Sequence, residues 1–187
     1  MNELQLRHAA RVIRGGGIVA YPTEAVYGLG CDPLNAMAVA GILAIKRRDP
    51  AKGLIVIAAD PTQLNDLITF PGEASRRAVL DTWPGPVTWV LPAKPQTPVW
   101  LTGRHAGLAV RVTAHPLAAA LCRLAGPIVS TSANLSGHPP CRDMLAVRRT
   151  LGASIDFLLP GTVDTAAGPS EIRDMATGHV IRPASGS

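Results

Sequence analysis

Aromatic side chains are scarce: three Trp, two Tyr and two Phe make up 4% of the 187 residues. A platform that stacks single-stranded bases on aromatic rings is therefore a poor fit. Cysteine is limited to Cys31, Cys122 and Cys141. That odd number, without paired metal spacing, excludes a disulfide framework or a zinc knuckle. The five His are scattered and form neither HxxxH nor HxH. No apolar run approaches the ~20 residues that span a bilayer. The N-terminus is polar and charged, unlike a signal peptide. A soluble, cytoplasmic protein with no membrane association is the expectation. There is no GxxxxGK[ST] phosphate loop, and no Ser-His-Asp set stands out by local context.

What is present is an aliphatic, globular composition, 47% hydrophobic and 17% charged. Its core must be built from Ala, Val, Ile and Leu. The length suits one well-filled domain, residues 1–187. Gly and Pro are frequent, at 18 and 17 residues, and imply many tight connections. Net charge is +5, with fifteen Arg and three Lys among the basic residues. Arg suits two-pronged contact with phosphates and carboxylates. The excess fits either a solvated surface or an anionic partner such as a nucleotide or RNA.

Leu6, Ala9, Val12 and Ile13 fall on one face of a helix over the first fourteen residues. Gly15-Gly16-Gly17 ends it. Ile18 to Tyr21 reads as a buried strand. Asn35 caps a helix from Ala36 to about Arg47. Gly53 to Ala58 is a strand with both faces covered. A short helix opens at Pro61, and another runs from Ala74 to Trp83. Val87 to Leu91 and Leu108 to Val112 are strands. A helix over Pro116 to Leu124 leads to the strand Pro127 to Val129. Asp143 caps a helix through Leu151. Phe157 to Leu159 and Val180-Ile181 are late strands. This order predicts an α/β single domain, a twisted open mixed sheet flanked by helices.

Polar clusters interrupt that pattern. Lys46-Arg47-Arg48 with Lys52 puts four cations within seven residues before a buried strand. Basic residues suit a helix C-terminus, but four exceed that need, so a clamp on polyphosphate is the competing reading. Ser130-Thr131-Ser132-Ala133-Asn134-Leu135-Ser136-Gly137 follows the apolar Pro127-Ile128-Val129. One Ser or Asn would cap a turn there; so many hydroxyls and an amide suit a ligand beyond the carboxyl end of a strand. Arg111 breaks the apolar run LAVRV, as one half of a salt bridge or as a grip on a substrate carboxylate. In PTEAVYGLG, Gly28 and Gly30 would let backbone approach a ligand closely. This inventory of cations, hydroxyls and amides suits anion binding and the positioning of reactants, not covalent or metal hydrolysis.

The stretches YPTEAVYGLG, KRRDPAKGL, WPGPVTWVLPA, LAVRVTAHPL, STSANLSGHPP and PSEIRD…VIRP occur in one order from about Tyr21 to Pro183. In that order the chain resembles the YrdC family, the L-threonylcarbamoyl-adenylate synthases of tRNA modification, in its short single-domain bacterial form. The resemblance implies a large basic cavity on an open sheet. It implies a nucleotidyltransferase that joins L-threonine, bicarbonate and ATP into threonylcarbamoyl-AMP and pyrophosphate. Other proteins would accept the product to make t6A. Mg²⁺ would accompany ATP, held mainly through phosphates rather than by protein ligands. The family's KxR…SxN signature falls on Lys46, Arg48, Ser132 and Asn134. By resemblance Lys46 and Arg48 act on the phosphates as the catalytic cations, and Lys52, Ser132, Asn134 and Arg182 complete the ATP side. Thr23, Arg111, Ser130 and Ser170 fall to the threonine. The chain departs from longer relatives at Ala25, where they often carry Thr, at Lys52-Gly53, where they often carry Asn-Pro, and at PSEIRD. The rival reading is an RNA-binding or ribosome-associated factor that uses the basic cavity, with Arg47, Arg104, Arg148 and Arg149 on tRNA phosphates.

Overall fold

The computed structural model describes residues 2–163 and 168–184. Of the expected domain 1–187, residues 1, 164–167 and 185–187 lie outside that set. Helix α1, Glu3–Arg14, is capped by Asn2, whose side chain accepts the backbone N–H of Leu4 at 3.1 Å. Strands β1 (Val19–Pro22) and β2 (Tyr27–Gly30) form a hairpin closed by residues 23–26. Helix α2 spans Ala36–Lys46, and Asn35 caps it as expected. Arg47 then takes a left-handed conformation, φ 46°, and swings the chain off the helix axis. Strand β3 is Ile55–Ala58, α3 is Glu73–Leu80 and β4 is Val87–Pro92. A single turn, α4 (Val99–Thr102), leads to β5, Gly107–Val112. Helix α5 (Pro116–Ala125), β6 (Ile128–Ser132), α6 (Met144–Leu151), β7 (Phe157–Leu158), β8 (Glu171–Asp174) and β9 (Val180–Arg182) follow.

These strands make one nine-stranded mixed sheet in the order β7-β1-β2-β6-β3-β5-β4-β8-β9. The sequence reading anticipated neither β2, α4 nor β8. Strand β2 is short and split by two glycines, so it carries no apolar run. Strand β8, read from EIRD, is mostly charged because it sits near the sheet edge.

Register explains where the open space lies. Alternate residues face opposite sides of a sheet. Ala20, Leu29, Val56, Val110 and Val129 pack on one side, beneath α2 and α6, in the larger apolar core. Val19, Tyr21, Ile57 and Ile128 face the other side, where α1 and α5 cover them through Leu6, Ile13, Leu121 and Cys122. Helices α1 and α5 cover only part of that face. Ser130 pairs with Ile55, Ile55 with Ala109, and Gly28 with Ser132. That row continues the same face beyond the two helices, and the cavity opens on it.

The glycines of PTEAVYGLG serve a purpose the sequence did not suggest, while Gly28 also lines the cavity as a close-approach glycine would. A Cβ on Gly30 would come within 2.8 Å of Tyr21 Cε1, and one on Gly28 within 3.4 Å of Tyr21 Cζ. They make room for the Tyr21 ring to cross β2, and its hydroxyl then reaches Ser130 Oγ at 2.7 Å. Burial pushes the Tyr21 phenol well above its ordinary range, so it stays a neutral donor.

Candidate active site

The cavity has a volume of about 1270 Å³. Six cationic side chains line it: Arg48, Lys52, Arg104, Arg111, Arg142 and Arg182. Glu24 and Asp174 are its acidic residues. Thr23, Ser130, Ser132 and Ser170 add hydroxyls to the wall. Eight of the ten residues expected from the sequence thus share one hollow. Lys46 and Asn134 stand behind Ser132 instead.

That second position follows from the local bonding. Lys46 ends α2 and is only 6% exposed. Its Nζ donates to Ser132 O at 2.6 Å, to Asn134 Oδ1 at 2.7 Å and to Asn134 O at 3.1 Å. An ammonium has three N–H donors, and these acceptors use all three. Ser132 Oγ also donates to Asn134 Oδ1 at 2.7 Å, while Asn134 Nδ2 donates to His138 O at 2.6 Å. The signature residues are therefore brought together, with Lys46 tying down the end of β6. Burial, then the nearby Arg48 charge, lower the Lys46 ammonium to about 8.

Arg48 faces the hollow and donates from Nη2 to Gly53 O at 3.0 Å. Gly53 has φ 63°, and a Cβ there would meet Thr102 O at 2.8 Å. Only glycine lets the KGL segment turn this closely over α4. Burial lowers the Arg48 guanidinium from its ordinary value, a cost that an anion beside it would offset.

Across the face, Arg111 on β5 is 7% exposed. Its Nη1 donates to Glu24 Oε1 at 2.6 Å, and Thr113 Oγ1 donates to the same oxygen at 2.7 Å. The salt-bridge reading of Arg111 thus holds, and Arg111 also lines the cavity. Glu24 stands in the β1–β2 turn beside Thr23, whose hydroxyl donates to Val26 O at 2.6 Å. From the far strands, Arg182 Nη2 donates to Ser170 O at 2.7 Å, and Ser170 Oγ lies 3.2 Å from Thr88 Oγ1. Partial burial and the charge of Arg111 both lower Arg182.

Sequence reasoning missed Glu24, Thr113 and Arg142. The signal for Glu24 was its place between Thr23 and Ala25 in a stretch already singled out. Thr113 and Arg142 lie just beyond LAVRV and STSANLSG, with no pattern of their own. Of the arginines assigned to tRNA, Arg104 is in the cavity wall, whereas Arg148 and Arg149 are on the last turn of α6 and Arg47 ends α2. Burial pushes the Cys31 and Cys122 thiols up to about 12, so neither is a ready nucleophile. Among the described residues, no three His, Cys, Asp or Glu side chains gather to hold a metal ion. No helix among them is long and apolar enough to cross a membrane.

An open mixed sheet carries a basic, hydroxyl-lined hollow on one face, a lining suited to anions. The family model Sua5_yciO_yrdC, described as telomere recombination, matches residues 11–184, and the chain belongs to that family. It is 57% identical to threonylcarbamoyl-AMP synthase of Nitrosococcus oceani over 180 residues, covering 95% of this chain and 97% of that one. It is also similar to the crystal structure of P. abyssi Sua5 complexed with L-threonine, with TM-score 0.91 and 34% identity over 98% of this chain. It spans about half, 55%, of that protein. The fold of E. coli YciO also matches, with TM-score 0.85 and 23% identity, over 100% of this chain and 92% of that one.

Proposed function

We propose that this chain is a threonylcarbamoyl-AMP synthase, forming threonylcarbamoyl-AMP and pyrophosphate from L-threonine, bicarbonate and ATP. The product feeds t6A modification of tRNA through proteins that accept it. The observation that carries this reading is one cavity that places Arg48, Lys52 and Ser132 on the same sheet face as Arg111, Ser130 and Ser170. Similarity to threonylcarbamoyl-AMP synthases over nearly the whole chain supports it.

The chemistry asks for placement more than for proton transfer. The threonine amine attacks bicarbonate, or the CO₂ derived from it, and water is lost to give a carbamate. A carbamate oxygen then attacks the α-phosphate of ATP, and pyrophosphate leaves. The carbamate is labile in water, so holding it against ATP is the main task. Such positioning is worth ~7–11 kcal/mol. Arg48 and Lys52 stabilise charge on the departing phosphates. Lys46 acts one step back, by fixing Ser132 and the amide of Asn134. Arg111 and Ser170 take the amino-acid side. Among the described residues the wall offers two carboxylates, Glu24 and Asp174, which fits a Mg²⁺ that arrives on the phosphates.

The test is incubation with ATP, L-threonine and labelled bicarbonate, without RNA. Label is expected in a mixed anhydride of threonylcarbamate and AMP, with matching pyrophosphate. Pyrophosphate release that required RNA, or that ignored threonine, would sink the reading and favour an RNA-binding role.

A further inference from the structure

The Arg111–Glu24 pair is an odd structural salt bridge. Ion pairs removed from water need most of their donors and acceptors satisfied to be worth forming. Arg111 has five N–H donors, and among the described residues only Nη1 has a partner. Its Nε is cut off from water and has none. Arg182 is close enough to feel the Arg111 charge, so two guanidinium groups share this end of the cavity. Glu24 is equally one-sided. Both of its side-chain bonds, from Arg111 and from Thr113, land on Oε1. Oε2 accepts none from another side chain among the described residues, although Glu24 lines the cavity and its side chain is 21% exposed. Burial works to raise this carboxyl, but the Arg111 charge, the two side-chain hydrogen bonds and a bond from its own backbone N–H outweigh it and hold it below its ordinary value, so it is ionised.

The wall therefore presents a cationic edge and an anionic oxygen side by side. An α-amino acid is the same pattern reversed, a carboxylate and an ammonium separated by one carbon. Resting on the proposed function, we infer that Glu24 binds the substrate ammonium through Oε2 while Arg111 and Arg182 face its carboxylate. The pair is then a zwitterion clamp, and Glu24 fixes which way the nitrogen points. Glu24 remains ionised, so it orients the nitrogen rather than removing the proton; that proton leaves to solvent or to the bicarbonate-derived base as the carbamate forms. Ligands with a carboxylate but no ammonium lose half of the clamp and face an unpaired Glu24. A site built on a half-buried charge disfavours such ligands.

The experiment compares two ligands on two proteins by calorimetric titration. L-threonine is set against (R)-3-hydroxybutanoate, which keeps the carboxylate, hydroxyl and methyl but lacks the ammonium. The wild-type chain should bind threonine at least ~30-fold more tightly. Glu24→Gln should shrink that ratio to under ~3-fold, chiefly by weakening threonine, with ATP affinity within ~3-fold of wild type. A Glu24→Gln protein that keeps the full ratio, and weakens both ligands equally, would overturn the inference: Glu24 would then serve only to hold Arg111. A wild-type ratio near one would overturn it as well. If Glu24→Gln does not fold, Glu24→Asp keeps the charge but withdraws it by one methylene, and the same ratio decides. A wild-type protein that binds ATP but neither ligand would overturn the proposed function itself, which separates that failure from a failure of the clamp.

Discussion

The two polar networks of the cavity differ in how completely they are satisfied. Around Lys46 every strong donor meets an acceptor: the ammonium is spent on Ser132 O, Asn134 O and Asn134 Oδ1. Around Arg111 one guanidinium nitrogen is paired, another is buried without a partner among the described residues, and a second arginine stands near. A closed network holds a backbone in place; an open one waits for something to close it. Native proteins rarely leave buried polar groups unpaired without a reason. On the proposed function, the contrast separates the residue that shapes the site from those that would meet the substrate.

The sharpest way to break this contrast is to remove Arg48, which touches the hollow directly. Arg48→Ala should lower threonine- and bicarbonate-dependent pyrophosphate release by roughly 100-fold or more, on the scale of losing one preorganised charge donor. Its circular dichroism and melting temperature should stay close to wild type. Near-normal turnover would remove Arg48 from the phosphates.

Lys46→Met should act differently. It leaves half-buried acceptors on Ser132 and Asn134 without their donor, at up to about 1–3 kcal/mol each. Activity and melting temperature should therefore fall together. A variant with full stability and selectively lost ATP binding would make Lys46 a direct phosphate ligand.

The proton on Lys46 gives a milder test. The folded chain holds it less tightly than the unfolded chain, because its value drops from 10.5 to about 8. Between those two values the unfolded state binds more protons, so raising pH stabilises the fold. Over the same range a neutral amine has too few N–H groups for three acceptors, and ATP affinity should weaken. Stability rising while ATP affinity falls above pH about 8 is the expected signature, and Lys46→Met should abolish both trends. Affinity that is flat to pH 10 would contradict it.

Smaller effects belong to packing and to selectivity. Gly30→Ala puts a methyl 2.8 Å from Tyr21 Cε1 and 2.9 Å from Val129 O. A loss of roughly 1–3 kcal/mol in denaturant unfolding is expected, as for an overpacked core. An unchanged midpoint would show that Tyr21 moves aside freely. Threonine over serine should be imperfect, since one methyl is worth ~1–3 kcal/mol. Competition between the two amino acids measures it directly.

Much of this was readable from the residues. Asn35 and Asp143 cap their helices as their positions implied, because Asn and Asp side chains satisfy free N–H groups at a helix start. The apolar runs of β3, β5 and β6 are the central strands, since strands covered on both faces must be apolar throughout. Eight expected site residues line the cavity. The rest was hidden for physical reasons. Strand β8 carries Glu171, Arg173 and Asp174, and its membership in the sheet depends on pairing with β4 eighty residues away. Gly28 and Gly30 looked like approach points for a ligand; Gly28 does line the cavity, whereas the group that Gly30 admits is a ring from the neighbouring strand. Whether Lys46 points into the hollow or behind it depends on which carbonyls its flexible stem can reach, and spacing alone does not carry that information. Glu24 went unseen because its role is defined only across the sheet, by Arg111 and Thr113.

The measurement that bears most directly on the open network is a pair of titrations on Arg111→Ala, one with L-threonine and one with ATP. The account requires threonine affinity to fall by at least ~10-fold while ATP affinity stays within ~3-fold of wild type. Equal weakening of both ligands, or none of either, would mean that the partly paired guanidinium is not where the amino acid binds.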